Sequence, residues 1–295
     1  MAFRFQPSDE TVESAVRRIA CAELDAALAA IRAAERPPGR VVHEVRRRCK
    51  ALRGLIRLVR PAFPSFAAEN AALRDIARQL AGVRDGAVLA DTLARLAGSD
   101  GAAIASLRTA LPPDHADEAT ARAALDRCVA PLLAARVRAA SWAVNADGWD
   151  ALAAGFTRTI KAARRAMKTF EATADAEAGH EWRKQAKYHW QHMRLLRGVA
   201  EDEAGKRAKR VVRLCDLLGE RHDLDLLLET LASSRARGDE AEAMMRLVAR
   251  AHRRIEALDM QAITLGKRLF GGKSRGIADK WAIRWRRWVD SPGSA

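Results

Sequence analysis

Two stretches of this 295-residue chain carry the same set of side chains able to meet an anion. Residues 43–61 read HEVRRRCKALRGLIRLVRP, and residues 180–198 read HEWRKQAKYHWQHMRLLRG. Both hold His, then Glu at +1, Arg at +3, a basic residue at +4, Lys at +7, and Arg at +14 and +17, at an offset of 137 residues. On a helical wheel with about 100° per residue, Arg46, Lys50, Arg53, Arg57 and Arg60 fall within roughly a 100° arc on the His43 side. Arg47 lies beside that arc, while Val45, Leu52, Leu55, Ile56 and Val59 face the other way. The second copy repeats the stripe with His180, Arg183, Lys184, Lys187, Arg194 and Arg197, and puts Trp190 where the first has Arg53. Further cations recur at helical spacing at Arg158, Lys161, Arg165 and Lys168, and again at Lys206, Arg207, Lys209, Arg210 and Arg213.

A solvated helix face ordinarily mixes signs, because like charges four residues apart repel. Here one sign is stacked over five turns: Arg40 to Arg60 holds eight Lys and Arg and a single acid, Glu44. Such a stripe is destabilising by itself and makes sense opposite a polyanion. Arg forks and Lys point charges suit phosphate oxygens. A linear polyphosphate or a nucleic acid would release counterions on binding. His43 and His180 head their stripes and are read as phosphate donors that a bound phosphate chain would help to charge.

Other chemistries fit less well. His222-Asp223 could belong to a metal-dependent phosphohydrolase of the all-α HD type. A second match, LAGVRDGAVLADTL from Leu80 against LGERHDLDLLLETL from Leu218 at an offset of 138, argues against it. Asp85 and Asp223 coincide there, but Arg84 stands where the second copy has His222. The two Asp are therefore read as structural acids that orient a stripe His or Arg. His189 and His192, at i and i+3, could chelate a metal but lie opposite the stripe, and are read as packed or partly exposed histidines rather than metal ligands. No paired carboxylates and no nucleophile with an evident base appear, so a non-catalytic binder with no metal and no cofactor is expected. Cys21, Cys49, Cys128 and Cys215 form no CxxC pair, which excludes a zinc ribbon or thioredoxin-type site. Seven Trp could stack on bases, yet no nucleic-acid-binding module is present. Trp281, Trp285 and Trp288, at i, i+4 and i+7, read as core. Trp142 and Trp149 flank a break in the chain and read as packing there. Nonspecific nucleic-acid binding remains an alternative, as does docking of an acidic protein.

Helices must position these groups. Alanine occurs 63 times and tyrosine once, at Tyr188, which favours helix over strand. Apolar residues recur every three or four positions between breakers at Pro37–Gly39, Pro61–Pro64, Gly98–Gly101, Pro112–Asp114, Asn145–Gly148, the run before His180, Gly238-Asp239 and Gly271–Gly276. Ser8 or Asp9 is expected to cap the first helix, and Asp147 or Gly148 to open the one after the midpoint. The net charge is +15, with 52 Lys and Arg against 37 Asp and Glu, which points to an anionic partner. No stretch of about 18 apolar residues occurs and the N-terminus has no signal-peptide core, so a soluble cytoplasmic chain with no membrane partner is expected.

The duplicated H-x-x-R-x-x-x-K on a basic helix, each followed by a leucine-rich turn into an Asp, resembles the CHAD family (conserved histidine α-helical domain). The resemblance spans nearly the whole chain, including GFTRTIKAARRAM before the second His helix. It implies an all-α fold of two pseudo-symmetric antiparallel helical bundles of four-helix type, here residues 1–145 and 146–295. It also implies binding of inorganic polyphosphate and association with polyphosphate granules and their proteins. By this resemblance His43, Arg46, Lys50, Arg53 and Arg57 carry over in the first half, and His180, Arg183, Lys187 and Arg194 in the second. Asp85 and Asp223 match the family's acidic position. Trp190 and Gln191 depart from the Arg and Tyr of many members, and Ala81 stands where the second copy has Gly219. No E-x-E-x-K signature of a triphosphate-tunnel domain appears, so a stand-alone member is expected.

Overall fold

The computed structural model describes residues 3–33, 35–81, 85–97, 111, 118–233 and 239–291. Ten α-helices and no strand occur among them. In chain order they are α1 (Val12–Arg32), α2 (Pro38–Leu58), α3 (Phe66–Gln79), α4 (Asp85–Ala97), α5 (Glu118–Ala139), α6 (Gly148–Thr173), α7 (Ala176–Leu195), α8 (Glu201–Ala232), α9 (Asp239–Phe270) and α10 (Ser274–Asp290). The chain is all-α. The breakers at 98–101, 112–114 and 238 lie outside the described residues.

The first helix is capped differently from the expectation. Thr11 is the N-cap: its hydroxyl accepts from Ser14 N, and Ser14 Oγ accepts from Thr11 N, a reciprocal capping box. Asp9 cannot serve, because its carboxylate takes the guanidinium of Arg18 at 2.6 and 2.7 Å and the backbone N–H of Gln6. In α2, Pro38 opens the helix rather than ending a loop, since its fixed φ suits the first turn and its missing N–H costs nothing there. Asp147 precedes α6 as expected, but its Oδ1 accepts the backbone N–H of Val12 at 2.7 Å and so ties the start of α6 to the start of α1.

One apolar cluster runs from Phe3 to Trp285 and includes residues on both sides of the 140–147 loop. Phe63 packs on Trp142, and Trp149 on Phe156 and Trp285; Trp281 and Trp285 are buried, so these indoles serve the core. A smaller cluster joins Leu89, Leu93 and Ala97 of α4 to Leu227 and Leu231 of α8 and Leu247 of α9.

Two close crossings fix the centre of the molecule. A Cβ on Gly54 of α2 would lie 2.6 Å from Gln191 Cβ of α7, and one on Gly155 of α6 would lie 1.9 Å from the carbonyl oxygen of Leu58. Only a missing side chain lets these backbones approach so closely. His192 Nε2 sits 3.1 Å from Gly54 O, pinning α7 to α2 at the same crossing. The helices bearing the two stripes are thus held against each other.

Candidate functional site

The apolar face of α2 buries Val41, Val42, Val45, Cys49, Leu52, Leu55 and Ile56, and this burial turns the opposite face toward solvent. In α7 the buried set includes Trp182, Ala186, Tyr188, His189, Gln191, His192 and Met193. Beside the close approach of Gly54 to Gln191, the polar faces of the two helices line a cleft of about 530 Å³. One wall is His43, Arg46, Arg47, Lys50 and Arg53; the other is His180, Arg183, Lys184, Lys187, Tyr188, Trp190 and Gln191; Val88 of α4 completes it. No carboxylate lines the cleft among the described residues. From His43 to Arg53 the first wall extends about 15 Å along its helix at 1.5 Å per residue.

Each wall holds its cations in its own way. Arg46 donates from Nη1 to the carbonyl oxygen of Leu80 at 2.8 Å. Leu80 caps the C-terminal end of α3, where carbonyls have no intrahelical donor, so the guanidinium satisfies one of them. Arg53 and Arg57 share Asn70 Oδ1 at 3.1 and 3.3 Å. Arg57 also lies 4.2 Å from the Tyr188 ring centroid, a cation–π contact across to the other helix. On the second wall Arg183 packs over Gly219, where an added Cβ would lie 3.1 Å from its Nη2, and its buried Nε has no hydrogen-bond partner among the described residues. Lys184 is ion-paired with Glu181. Glu44, the matching acid in the first copy, turns away from the cleft to Arg48 and Arg36.

The crowding of like charges is visible in the titratable groups. Lys50 reaches solvent, but enclosure by the cleft, then Lys187, Arg46, Arg183 and Arg53, lower its pKa to about 8. Burial followed by Arg183 lowers Lys187 also, with Asp223 and Asp216 acting in the opposite sense. Burial, then Arg183 and Lys184, lower the pKa of His180. Behind it, 5.0 Å between ring centroids, His222 is pushed down to about 4 by burial and then by His180 and its cationic neighbours. Asp223 feels Arg183, Lys187 and Arg95, yet burial raises its pKa.

The cleft therefore gathers His43, Arg46, Arg47, Lys50, Arg53, His180, Arg183, Lys184 and Lys187 from the expected set. The others lie elsewhere. Arg57 is spent on Asn70 and Tyr188, just beyond the crossing. Arg194 lies over Phe3 and Trp190 and donates to Gln191 Oε1, and Arg197 pairs with Glu201. Arg158, Lys161 and Arg165 form an exposed row on α6 outside the cleft lining. Arg207, counted among the added cations, is an internal residue: its Nε donates to His189 Nε2 at 2.7 Å and its Nη2 to Leu269 O at 2.6 Å. His189 and His192 are fully buried against Phe156, where burial lowers both, His192 to about 3. Of the two readings, packed or partly exposed, the structure has them as core residues. Asp85 begins α4, and its side chain lies outside the described residues.

Sequence reasoning missed Tyr188, Asn70 and Val88 as parts of the site. The chain's single tyrosine, directly after Lys187 of the repeated pattern, was a usable signal for Tyr188; Asn70 and Val88 sit on other helices, and nothing in their local sequence marks them. Among the described residues no group of three or more His, Cys, Asp or Glu is arranged to hold a metal ion, and no helix is long and apolar enough to cross a membrane.

These features define an all-α protein with a cationic cleft between two crossed helices. Residues 18–232 match the family model of the CHAD domain, most of the chain, and the chain belongs to the CHAD family. No curated protein matches the sequence.

Proposed function

We propose that the chain binds inorganic polyphosphate in the α2–α7 cleft, as a binder and not as an enzyme, and that this binding directs it to polyphosphate granules. The observation that carries the reading is the convergence of both basic stripes on one cleft, with no acid in its lining among the described residues. Membership of the CHAD family supports the same ligand class. A flexible linear chain can follow the cleft, exchanging its counterions for Arg and Lys contacts at successive helical turns. Duplex DNA, stiff over many times the length of the cleft, can touch only its rim.

Competition tests this. Long-chain polyphosphate, labelled and bound to the full chain at about 0.15 M salt, should be displaced by unlabelled polyphosphate but not by DNA, ATP or pyrophosphate at equal phosphate concentration. Displacement by DNA at comparable phosphate concentration would overturn the assignment in favour of nucleic-acid binding.

A further inference from the structure

Three lysines line the cleft, and they differ in a way that matters for reactivity. Lys184 is held by Glu181. Lys187 lies deeper, within reach of Asp223 and Asp216. Lys184 is exposed too, and only Lys50 combines exposure with no acid beside it among the described residues; its charged neighbours are Arg46 and Arg53 on its own helix and Arg183 and Lys187 on α7. A small phosphate-bearing molecule drawn to those arginines is therefore brought up against a primary amine.

We propose that Lys50 is a modification site, acylated by small acyl phosphates that the cleft holds through their phosphate group. This rests on the reading that the cleft accepts phosphate. The unprotonated Nζ of Lys50 attacks the acyl carbon. The new N–C bond forms as the C–O bond to phosphorus breaks, the electron pair leaves with the phosphate, and the amine proton passes to it, giving an amide and inorganic phosphate. Arg46 and Arg183 stabilise the leaving dianion. The amine is available for this because enclosure in the cleft, and then the same cations, disfavour its protonated form and lower its pKa to about 8, which leaves a sizeable neutral fraction at pH 7.5 to 8. The product carries no charge, so acylation would remove one cation from the first wall and weaken polyanion binding.

The test uses the full chain, acetyl phosphate as the probe, and peptide mapping by mass spectrometry. Lys50 should be acetylated about tenfold faster than the exposed Lys168, Lys209 and Lys280, through proximity and orientation. Its rate should level off above pH 8, and inorganic triphosphate should suppress it while leaving the exposed lysines unaffected. p-Nitrophenyl acetate, which carries no phosphate, should show a much smaller preference for Lys50. In Lys50→Arg no cleft lysine should exceed the exposed background. Labelling of Lys50 no faster than the exposed lysines, or labelling that triphosphate does not suppress, would overturn the proposal. A polyphosphate titration on the same sample separates the two readings. Binding without preferential labelling sinks only the modification, and preferential labelling without polyphosphate binding sinks only the proposed ligand.

Discussion

The two walls of the cleft carry one motif and support it by different means. On α2 the arginines rest on neutral oxygens: Arg46 on Leu80 O, and Arg53 and Arg57 on Asn70 Oδ1. Their positions are fixed, and among the described residues no acid is ion-paired with them. On α7 the cations are tempered by acids, with Glu181 on Lys184 and Asp223 near Arg183 and Lys187, and an indole stands at Trp190 where the first wall has Arg53. The cause lies in the next element. The first copy ends α3 at Gln79 and begins α4 at Asp85, which frees the Leu80 carbonyl for Arg46. In the second copy the corresponding stretch lies inside the continuous 32-residue α8, whose carbonyls are already engaged, and Arg183 packs over Gly219 instead. The first wall should therefore contribute more to binding a polyanion, and the second should set the shape of the cleft.

The largest expected break in this comparison comes from charge reversal. Arg46→Glu with Lys50→Glu removes two charge-assisted contacts, each about 1.5 kcal/mol or more, and should weaken polyphosphate binding about a hundredfold. Arg183→Glu with Lys187→Glu should cost about tenfold, because nearby acids already offset those cations. Isothermal titration calorimetry on both pairs, with circular dichroism to verify helicity, checks the order; equal losses would erase the asymmetry.

A smaller effect comes from pH. A bound polyanion favours protonated Lys50, whose pKa in the free protein is about 8. Affinity should rise about tenfold as pH falls from 9 to 7, with proton uptake on binding, and Lys50→Arg should flatten the dependence because arginine does not titrate there. For the free protein the sign is opposite. Lys50 and His222 both have folded pKa values below their unfolded ones, so they contribute stability that is lost as pH falls, between about 10 and 8 for Lys50 and between about 6.5 and 4 for His222. Thermal melts with and without polyphosphate should therefore diverge most on the acid side.

Asn70→Ala is the mildest probe. It deletes no charge but removes the acceptor shared by Arg53 and Arg57. Binding should weaken about threefold with the salt slope unchanged, since the number of released counterions stays the same. A changed slope would mean that Asn70 alters how many cations engage rather than where they are held.

Much of this was legible in the sequence because it is periodic. The helical class followed from alanine content and three- and four-residue spacing, and the stripes from the wheel. The wheel also placed His189 and His192 opposite the stripe, without deciding between packed and partly exposed. What it could not supply was the partner of each cation. Arg207 has the same spacing as Lys206 and Arg210, yet it is drawn inward by His189 and the Leu269 carbonyl, two groups remote in sequence. Arg194 belongs to the motif, but Phe3, brought over by the N-terminal segment through the Phe5 N to Leu195 O hydrogen bond, covers it. The convergence of the stripes depends on Gly54 meeting Gln191, a contact between two helices that no single-helix pattern encodes. Asp9 was passed over as a cap for a similar reason, since Arg18, nine residues on, had already claimed its carboxylate.

On the proposed reading both walls hold one phosphate chain. Calorimetric titration of the full chain with a polyphosphate of defined medium length decides this by comparing wild type with the Arg183→Glu/Lys187→Glu variant. A shared cleft predicts one chain per protein in both, with weaker affinity in the variant. Two chains per wild-type protein, falling to one in the variant with its affinity unchanged, would contradict it.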